Sequence, residues 1–165
     1  MNAPMPGWRL AAQVDLSALP ADWRDALARR LGQRPRRIGV WAELALYGAC
    51  RCLDKAGEAA LPPAARVRVW SLSGAQGAMR TGIGQVRAGL LPMPFHFMQS
   101  QPAMMLAALG QALDWRGDAA FVTGRDAQAL LRLALAGAAP EGLLFGRVEE
   151  DGGRLRTAWQ RWVPE

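Results

Sequence analysis

The spacing of apolar side chains in the first half of the chain predicts two strands and two helices. Alternating apolar and polar residues indicate a strand with one buried face, whereas apolar residues three or four positions apart indicate a helix with one buried stripe. Gly32 and Gly57 follow the two helical patterns and are typical helix stops. The predicted elements are a strand at Trp8–Leu16, a helix from Pro20 to Leu31, a longer helix from Ile38 to Ala56, and a strand through Val67, Val69 and either Trp70 or Leu72.

In the second half, glycines and prolines separate shorter apolar segments. The glycines at positions 74, 77, 82 and 84 predict a mobile turn before a short helix, and the prolines and aromatic residues of positions 92–97 predict a loop. A helix then follows Ser100, which we expect to cap it. The remaining predicted elements are a strand at Ala119–Thr123, a helix at Asp126–Ala136, a strand at Leu143–Val148, a hairpin turn at Asp151–Gly153 and a last strand at Leu155–Val163.

This order of elements predicts an α/β layer structure built on a mostly parallel sheet. With 165 residues, 51% of them hydrophobic and 21% charged, the chain is long enough for one globular domain with a full core. We expect a single domain over residues 1–165, with residues 1–7 as a flexible N-terminus. No window reaches the roughly 18 uninterrupted apolar residues of a membrane span and no leader segment is recognisable, so we expect a cytoplasmic protein.

The net charge of +6 raises the question of an anionic partner. Lys55 is the single lysine among the 20 basic residues, which suggests a general preference for arginine rather than a designed basic face. The one dense cluster consists of Arg29, Arg30, Arg34, Arg36 and Arg37. We interpret it as a solvated face or a contact for an acidic protein, and nucleic-acid binding is a less favoured alternative.

Few catalytic arrangements are available to this composition. His96 is the only histidine, so neither a site of several histidine ligands nor a histidine pair is possible, and we predict no metal and no cofactor. His96 with Ser71, Ser73 or Ser100 leaves open a small acyl-thioester hydrolase or transferase, although no G-x-S-x-G elbow is present. Cys50 and Cys52 lie two positions apart on a predicted helix, and we expect them to be reduced packing residues.

Methionines are concentrated around the predicted loop and the helix that follows it. Met is flexible and polarizable, and it lines adaptable apolar binding surfaces as well as cores. Met93, Met98, Met104 and Met105 therefore indicate either an apolar groove for an acyl chain or simple core packing.

Several segments carry a resemblance to a known family. The series from Met93 to Ser100, the helix through Ala107–Gly110 and the segment Gly117–Gly124 together resemble the middle of a β-ketoacyl synthase N-terminal domain. The stretch from Leu143 to Glu150 resembles the strand with a glycine and acidic residues that follows in that family. Arg36-Arg37 with the helix from Ile38 to Ala56, and the strand and turn from Val67 to Gly74, are also similar to a shorter, divergent ketosynthase-like branch of aryl-polyene and related pigment pathways. The likeness covers about residues 34–150.

The resemblance implies a three-layer, thiolase-like half-fold with about five strands, helices on both faces and an antiparallel last strand. In active family members a nucleophilic cysteine begins the helix after the third strand, and that position falls at or near Asp126. The family histidines belong to a C-terminal half that has no counterpart in these 165 residues. The resemblance therefore implies a non-catalytic partner, similar to a chain length factor, in a fatty-acid, polyketide or aryl-polyene pathway.

The same resemblance assigns expected contact surfaces. The strand Ala119, Ala120, Phe121, Val122 and Thr123 corresponds to the one that pairs with a second subunit, which implies a homodimer or a heterodimer with a full-length ketosynthase. The cluster Arg29 to Arg37 is the expected contact for an acyl carrier protein. The expected acyl-binding residues are Phe95, Phe97, Met98, Met104 and Met105.

Overall fold

The computed structural model describes residues 5–137 and 139–165. The elements in chain order are β1 (Trp8–Leu16), α1 (Trp23–Leu31), α2 (Val40–Ala56), β2 (Arg66–Trp70), α3 (Gln76–Arg87), α4 (Pro94–Gln99), α5 (Pro102–Ala112), β3 (Asp118–Val122), α6 (Ala127–Leu135), β4 (Leu143–Asp151) and β5 (Arg154–Pro164). The predicted flexible segment, residues 1–7, lies partly outside the described residues, and within them Met5 is buried against the sheet.

The five strands form one mixed sheet in the order β1-β5-β4-β2-β3. β2 is parallel to both β3 and β4, whereas β5 is antiparallel to both β4 and β1. Four strands therefore run in one direction and only β5 opposes them. This arrangement confirms the predicted α/β half-fold with a mostly parallel sheet and an antiparallel last strand.

Alternate side chains of each central strand enter two separate cores, one on each face of the sheet. On one face, Leu144 and Val148 pack against α2 and α5 in the larger core. On the other face, Leu143 and Phe145 pack against α6 in the smaller core. The sheet thus lies between two helical layers, because neighbouring residues of a strand point to opposite faces.

Helix α2 lies against the sheet at a position where two glycines accept a large side chain. The indole of Trp159 is fully buried between Gly48 of α2 and Gly146, its cross-strand neighbour on β4. Its Nε1 atom donates a hydrogen bond of 2.7 Å to the hydroxyl of Thr157. A side chain at either glycine would overlap the indole, so these two residues set the distance between helix and sheet.

The sequence left either Trp70 or Leu72 as the last buried residue of the second strand, and the structure shows that it is Trp70. Trp70 is buried in the smaller core, whereas Leu72 is more than half exposed beyond the strand end. Because side-chain direction alternates along a strand, Leu72 would point to the same face as Trp70 if β2 continued. The chain turns at Ser71 instead.

The predicted glycine-rich turn is wrong in extent, because residues 76–87 form helix α3. Of the four glycines in this segment, only Gly74 has a positive φ, at 61°, and it lies before the helix. Gly77 allows the carboxylate of Glu150 to approach the helix closely, since a Cβ atom at this position would overlap that carboxylate. Gly82 and Gly84 face open space, so they weaken the helix without preventing it.

The predicted loop at positions 92–97 and the predicted cap at Ser100 also need correction. Pro94 occupies the first turn of a short helix, α4, where its missing N–H and fixed φ are tolerated. Ser100 ends α4 and does not cap α5, and its hydroxyl donates to the carbonyl of Phe97 at 2.7 Å. Gln101 is the residue before α5, and Pro102 begins that helix.

Candidate functional site

Asp126, the position that the resemblance assigns to a nucleophile, lies at the start of α6 as predicted. Its Oδ1 atom accepts hydrogen bonds from the backbone N–H groups of Gln128 at 2.9 Å and Ala129 at 3.0 Å. A carboxylate in this place satisfies the unpaired N–H groups of the first turn and interacts favourably with the helix dipole. The arrangement is that of a helix cap, and the carboxylate stabilises α6.

The carboxyl ends of β2 and β4 meet at a buried carboxylate that sequence reasoning missed. Glu149 is only 3% exposed, and it receives hydrogen bonds from the hydroxyls of Ser71 at 3.0 Å and Ser73 at 2.6 Å. The backbone N–H groups of Leu72 and Ser73 and the Nε atom of Arg147 also donate to it. This Glu149 cluster joins the turn after β2 to β4.

Burial and hydrogen bonding have opposite effects on the pKa of Glu149. Burial disfavours its charged form, but the hydroxyl and backbone N–H of Ser73, the N–H of Leu72 and Arg147 together lower the pKa of this carboxyl below its ordinary value. The guanidinium of Arg147 lies 4.7 Å above the ring of Trp70, which holds it near the carboxylate. The ionised carboxylate is therefore an acceptor that orders the turn.

The two serines that sequence analysis placed among nucleophile candidates serve this cluster. Ser71 and Ser73 both donate to Glu149, and the Ser71 oxygen accepts from the backbone N–H of Gly74 at 2.8 Å. The signal for their role was the pair Glu149–Glu150 at the end of a buried strand, because a carboxylate on an inward position requires donors.

His96 and Ser100 lie one helical turn apart in and after α4, but their polar atoms are used differently. The Ser100 hydroxyl donates to Phe97 and accepts from Nε2 of Gln101 at 3.2 Å. The His96 ring makes an edge contact with Phe95 at 5.9 Å between centroids. The hydroxyl proton of Ser100 is thus directed to a carbonyl oxygen and away from an imidazole base.

Both cysteines lie in the middle of α2 with buried side chains. Burial raises the pKa of Cys50 to about 11 and the pKa of Cys52 to about 12. Neither thiol lies at a helix N-terminus, and the thiol of Cys52 points to the carbonyl of Ala12 on β1. Their positions agree with the predicted role as packing residues.

Both thiols are expected to be unreactive in the folded protein, because the thiolate is the nucleophile and burial disfavours it. We expect a thiol reagent at neutral pH to modify neither residue within an hour and to modify both on addition of denaturant. Free cysteine in the same buffer is the control. Rapid stoichiometric labelling of the native chain would contradict the buried placement.

The predicted acyl-binding residues divide into exposed and buried ones. Met105 is only 1% exposed and belongs to the larger core, so its environment is that of a packing residue. Phe97 is 66% exposed, Met98 and Met104 are also exposed, and Phe95 is partly buried. Four of the five predicted residues therefore reach the surface, on or next to α4.

The exposed members continue a larger apolar surface, which we call the α3–α4 face. Neither α3 nor α4 contains a buried residue, and a cleft of about 450 Å³ lies between them. Isolated surface apolar residues are normal, but a contiguous group usually marks a contact surface. The exposed large apolar residues of this face are Met79, Ile83, Val86, Leu90, Leu91, Met93, Phe97 and Met98.

The predicted arginine cluster lies along α1 and the loop that follows it, and three of its members have acidic neighbours. Arg29 pairs with Asp22 at 3.3 Å, Arg30 with Asp54 at 2.7 Å, and Arg34 with Asp25 at 3.8 Å. Exposed pairs of this kind contribute little to stability. Arg36 and Arg37 form no ion pair within residues 5–137 and 139–165, so the available positive charge is concentrated at these two positions.

The strand predicted to pair with a second subunit is an edge strand. β3 pairs with β2 on one side, and no other strand of the described residues lies along its outer side. Asp118 at its start bonds to Arg68 of β2 at 2.6 Å, and that hydrogen bond lowers the pKa of the Asp118 carboxyl. The strand is therefore held firmly from within and presents its outer edge.

Within the described residues, no helix combines the length and apolar character needed to cross a membrane. In the same part of the chain, no group of three or more histidine, cysteine or acidic side chains is arranged to hold a metal ion.

Comparison of the sequence with known protein families and with curated proteins finds no match. Comparison of the fold with solved structures finds matches to ketosynthase assemblies. One is the ishigamide ketosynthase/chain length factor, with a TM-score of 0.64 and 16% identity over 84% of this chain. This chain spans about half, 47%, of the length of that one.

A second match spans the whole of this chain. It belongs to the ketosynthase ApeO in complex with its chain length factor ApeC from Xenorhabdus doucetiae, with a TM-score of 0.64 and 14% identity, and it covers 80% of the matched chain. The structural similarity thus extends over the whole of this chain despite the low identity. The chain therefore has the ketosynthase-like, thiolase-type fold.

Proposed function

We propose that this chain is a non-catalytic, ketosynthase-like partner subunit, comparable to a chain length factor, which pairs with a ketosynthase through the outer edge of β3. The observation that carries the proposal is the open edge of this strand. Unpaired N–H and C=O groups along an edge favour addition of another strand, and natural proteins usually cover or blunt them.

The two edge strands of the sheet, β1 and β3, differ in the regularity of their pairing. The register of β1 with β5 shifts between Leu10 and Ala12, so Ala11 is an extra residue in a bulge. Bulges disturb the ladder and discourage a further strand. The five residues of β3 pair with β2 in regular register, which leaves β3 as the regular edge.

Asp126 supports the non-catalytic part of the proposal. Thioester formation with a substrate acyl group requires a thiolate at the helix mouth, and the carboxylate there is committed to capping α6. The two thiols of the chain are buried in α2, away from this helix mouth.

The α3–α4 face supports a partner rather than a free monomer. Covering its apolar side chains with a partner is favourable by about 25 cal/mol for each Å² removed from water. Both matched structures are of a ketosynthase with a chain length factor. We infer a partner of the same kind here, in a polyketide or aryl-polyene type of pathway, with Arg36 and Arg37 as the contact for an acyl carrier protein.

The test is co-expression of the tagged chain with a full-length ketosynthase from the same genome. We expect the two proteins to co-purify and to elute together on size exclusion. Ala120→Arg should reduce the recovered ketosynthase on the order of tenfold or more, because it places an uncompensated charge at the strand junction.

The matched control is Ala11→Arg, the same substitution in the bulge of the opposite edge, and it should leave recovery unchanged. Circular dichroism of both variants separates loss of pairing from loss of folding. The proposal would be refuted if the wild-type chain purified as a monomer without bound ketosynthase. Equal losses of ketosynthase for the two variants would refute it as well.

A further inference from the structure

A separate cleft lies on the opposite side of α5 from the start of β3. It is bordered by the end of α1, the loop of residues 33–38, α2 and α5, and its volume is about 420 Å³. This value falls within the range of small-molecule sites. We call it the Arg36 cleft, and no residue of β3, α3 or α4 lines it.

The floor of the Arg36 cleft is apolar. Leu46 of α2 and Ala108 of α5 are buried members of the larger core, and Leu31 and Ile38 pack against that core from the rim. Ala108 and Ala112 lie one turn apart on the same face of α5, and their short side chains leave the space open. An apolar body in this space would leave water without losing hydrogen bonds.

The rim carries positive charge from a segment that contains no acid. Arg34 and Arg36 both line the cleft, and the sequence from Gln33 to Ile38 has no aspartate or glutamate. The nearest acidic partner is Asp25, 3.8 Å from Arg34, and both side chains of that pair are mostly exposed. Arg36 has no ion-pair partner within the described residues, so its guanidinium is available to an anion.

The loop holds this arrangement at a cost in backbone free energy. Arg37 has φ of 62°, a left-handed conformation that costs on the order of 1 kcal/mol or more for a residue with a side chain. Pro35 restricts the residue before it, and Gln99 of α4 packs directly against Gly39. Such strain persists where surrounding contacts impose it, and here the strained residue directly follows Arg36 at the mouth of the cleft.

We propose that the Arg36 cleft binds an amphipathic anion, a molecule with an apolar chain and a carboxylate or phosphate head. The chain would lie over Leu46, Ala108 and Ala112, and the head would meet Arg36 and Arg34. The proposal is independent of pairing through β3, because it concerns the isolated chain and a different surface.

Calorimetric titration of the purified full chain with four probes tests it. We expect octanoate to bind in a saturable one-to-one manner, with octanol and acetate each weaker by about tenfold or more, since one lacks the charge and the other lacks the chain. Octyl phosphate identifies the preferred head group, and tighter binding of either anion supports the site.

Variants separate the two halves of the site. Arg36→Gln should weaken octanoate about five- to tenfold and leave octanol unchanged, and Ala112→Leu should abolish binding of both by filling the floor. Arg154→Gln, in the exposed hairpin, is the matched control and should change nothing. If Ala112→Leu fails to fold, Arg36→Glu replaces it, and this charge reversal should abolish octanoate binding alone.

Equal affinity of the wild-type chain for octanol and octanoate would overturn the proposal. Unchanged octanoate binding in Arg36→Gln, or the absence of saturable binding at millimolar octanoate, would overturn it as well. None of these results bears on whether the chain pairs with a ketosynthase.

Discussion

Gly48→Ala should destabilise the protein by about 2 kcal/mol, although alanine favours a helix more than glycine does. The new methyl group would overlap the indole of Trp159 and the hydroxyl of Thr157, both of which are buried. The indole cannot move away, because Gly146 on β4 already contacts its other side. Thermal unfolding should show a fall in Tm of roughly 4–8 °C, since about 1 kcal/mol corresponds to 2–4 °C at this chain length.

Gly82→Ala provides the matched control, because Gly82 is also helical but faces open space. This substitution should stabilise the protein by about 0.5–1 kcal/mol through helix propensity alone. Opposite signs for the two substitutions would establish that close packing, and not helix propensity, requires glycine at position 48. A Gly48→Ala protein as stable as the wild type would contradict the fit between α2 and β5.

Glu149→Ala should lower the free energy of unfolding by about 3–5 kcal/mol, the largest effect that we expect for a polar residue. It removes an acceptor shared by the hydroxyls of Ser71 and Ser73 and by two backbone N–H groups, and it leaves Arg147 without its partner. Buried donors without an acceptor lose their hydration and gain nothing in return. Urea unfolding at neutral pH measures the change.

The same cluster predicts how stability depends on pH. Because the pKa of Glu149 is lower in the folded chain than in the unfolded one, its contribution is complete above the unfolded pKa and disappears as pH falls through the folded pKa. Wild-type stability should therefore fall as the pH drops below the ordinary glutamate pKa of about 4.3, and this fall should be smaller in Glu149→Gln.

Asp151→Asn is the control for that comparison, since Asp151 is an exposed carboxylate at the end of the same strand. Its pH profile should match that of the wild type. Identical profiles for the wild type and Glu149→Gln would show that the buried carboxylate does not contribute as the hydrogen bonds indicate.

Local patterns predicted most regular elements because their causes are local. The alternation over Trp8–Leu16 matches β1 at both ends, and the apolar stripe of the long helix ends at Ala56, as the structure has it. A strand shows apolar residues at every second position, and a helix shows them about every 3.6 residues. Both patterns are properties of the segment itself. The predicted last strand likewise differs from β5 by one residue at each end.

The exceptions arose where tertiary contacts outweighed local preference. Glycine content predicted a turn at the position of α3, but of the four glycines in that segment only Gly74 has a positive φ, whereas Gly77 lies within the helix beside the carboxylate of Glu150. Leu133 follows the apolar pattern of its helix yet is 67% exposed, because only one side of α6 meets the sheet. Periodicity cannot report which side of a helix finds a neighbour.

The amino-acid sequence by itself determined the five strands and their order along the chain, the carboxylate at the start of α6 and the cluster of arginines at the end of α1 and just after it. The tertiary structure alone decided that β3 is an open edge, that Glu149 is a buried acceptor, and that Arg36 borders a cleft with an apolar floor. The physical reason is range. Strand order, burial of a charge and the walls of a cleft depend on residues tens of positions apart, whereas helix and strand periodicity depends on neighbours within one or two turns.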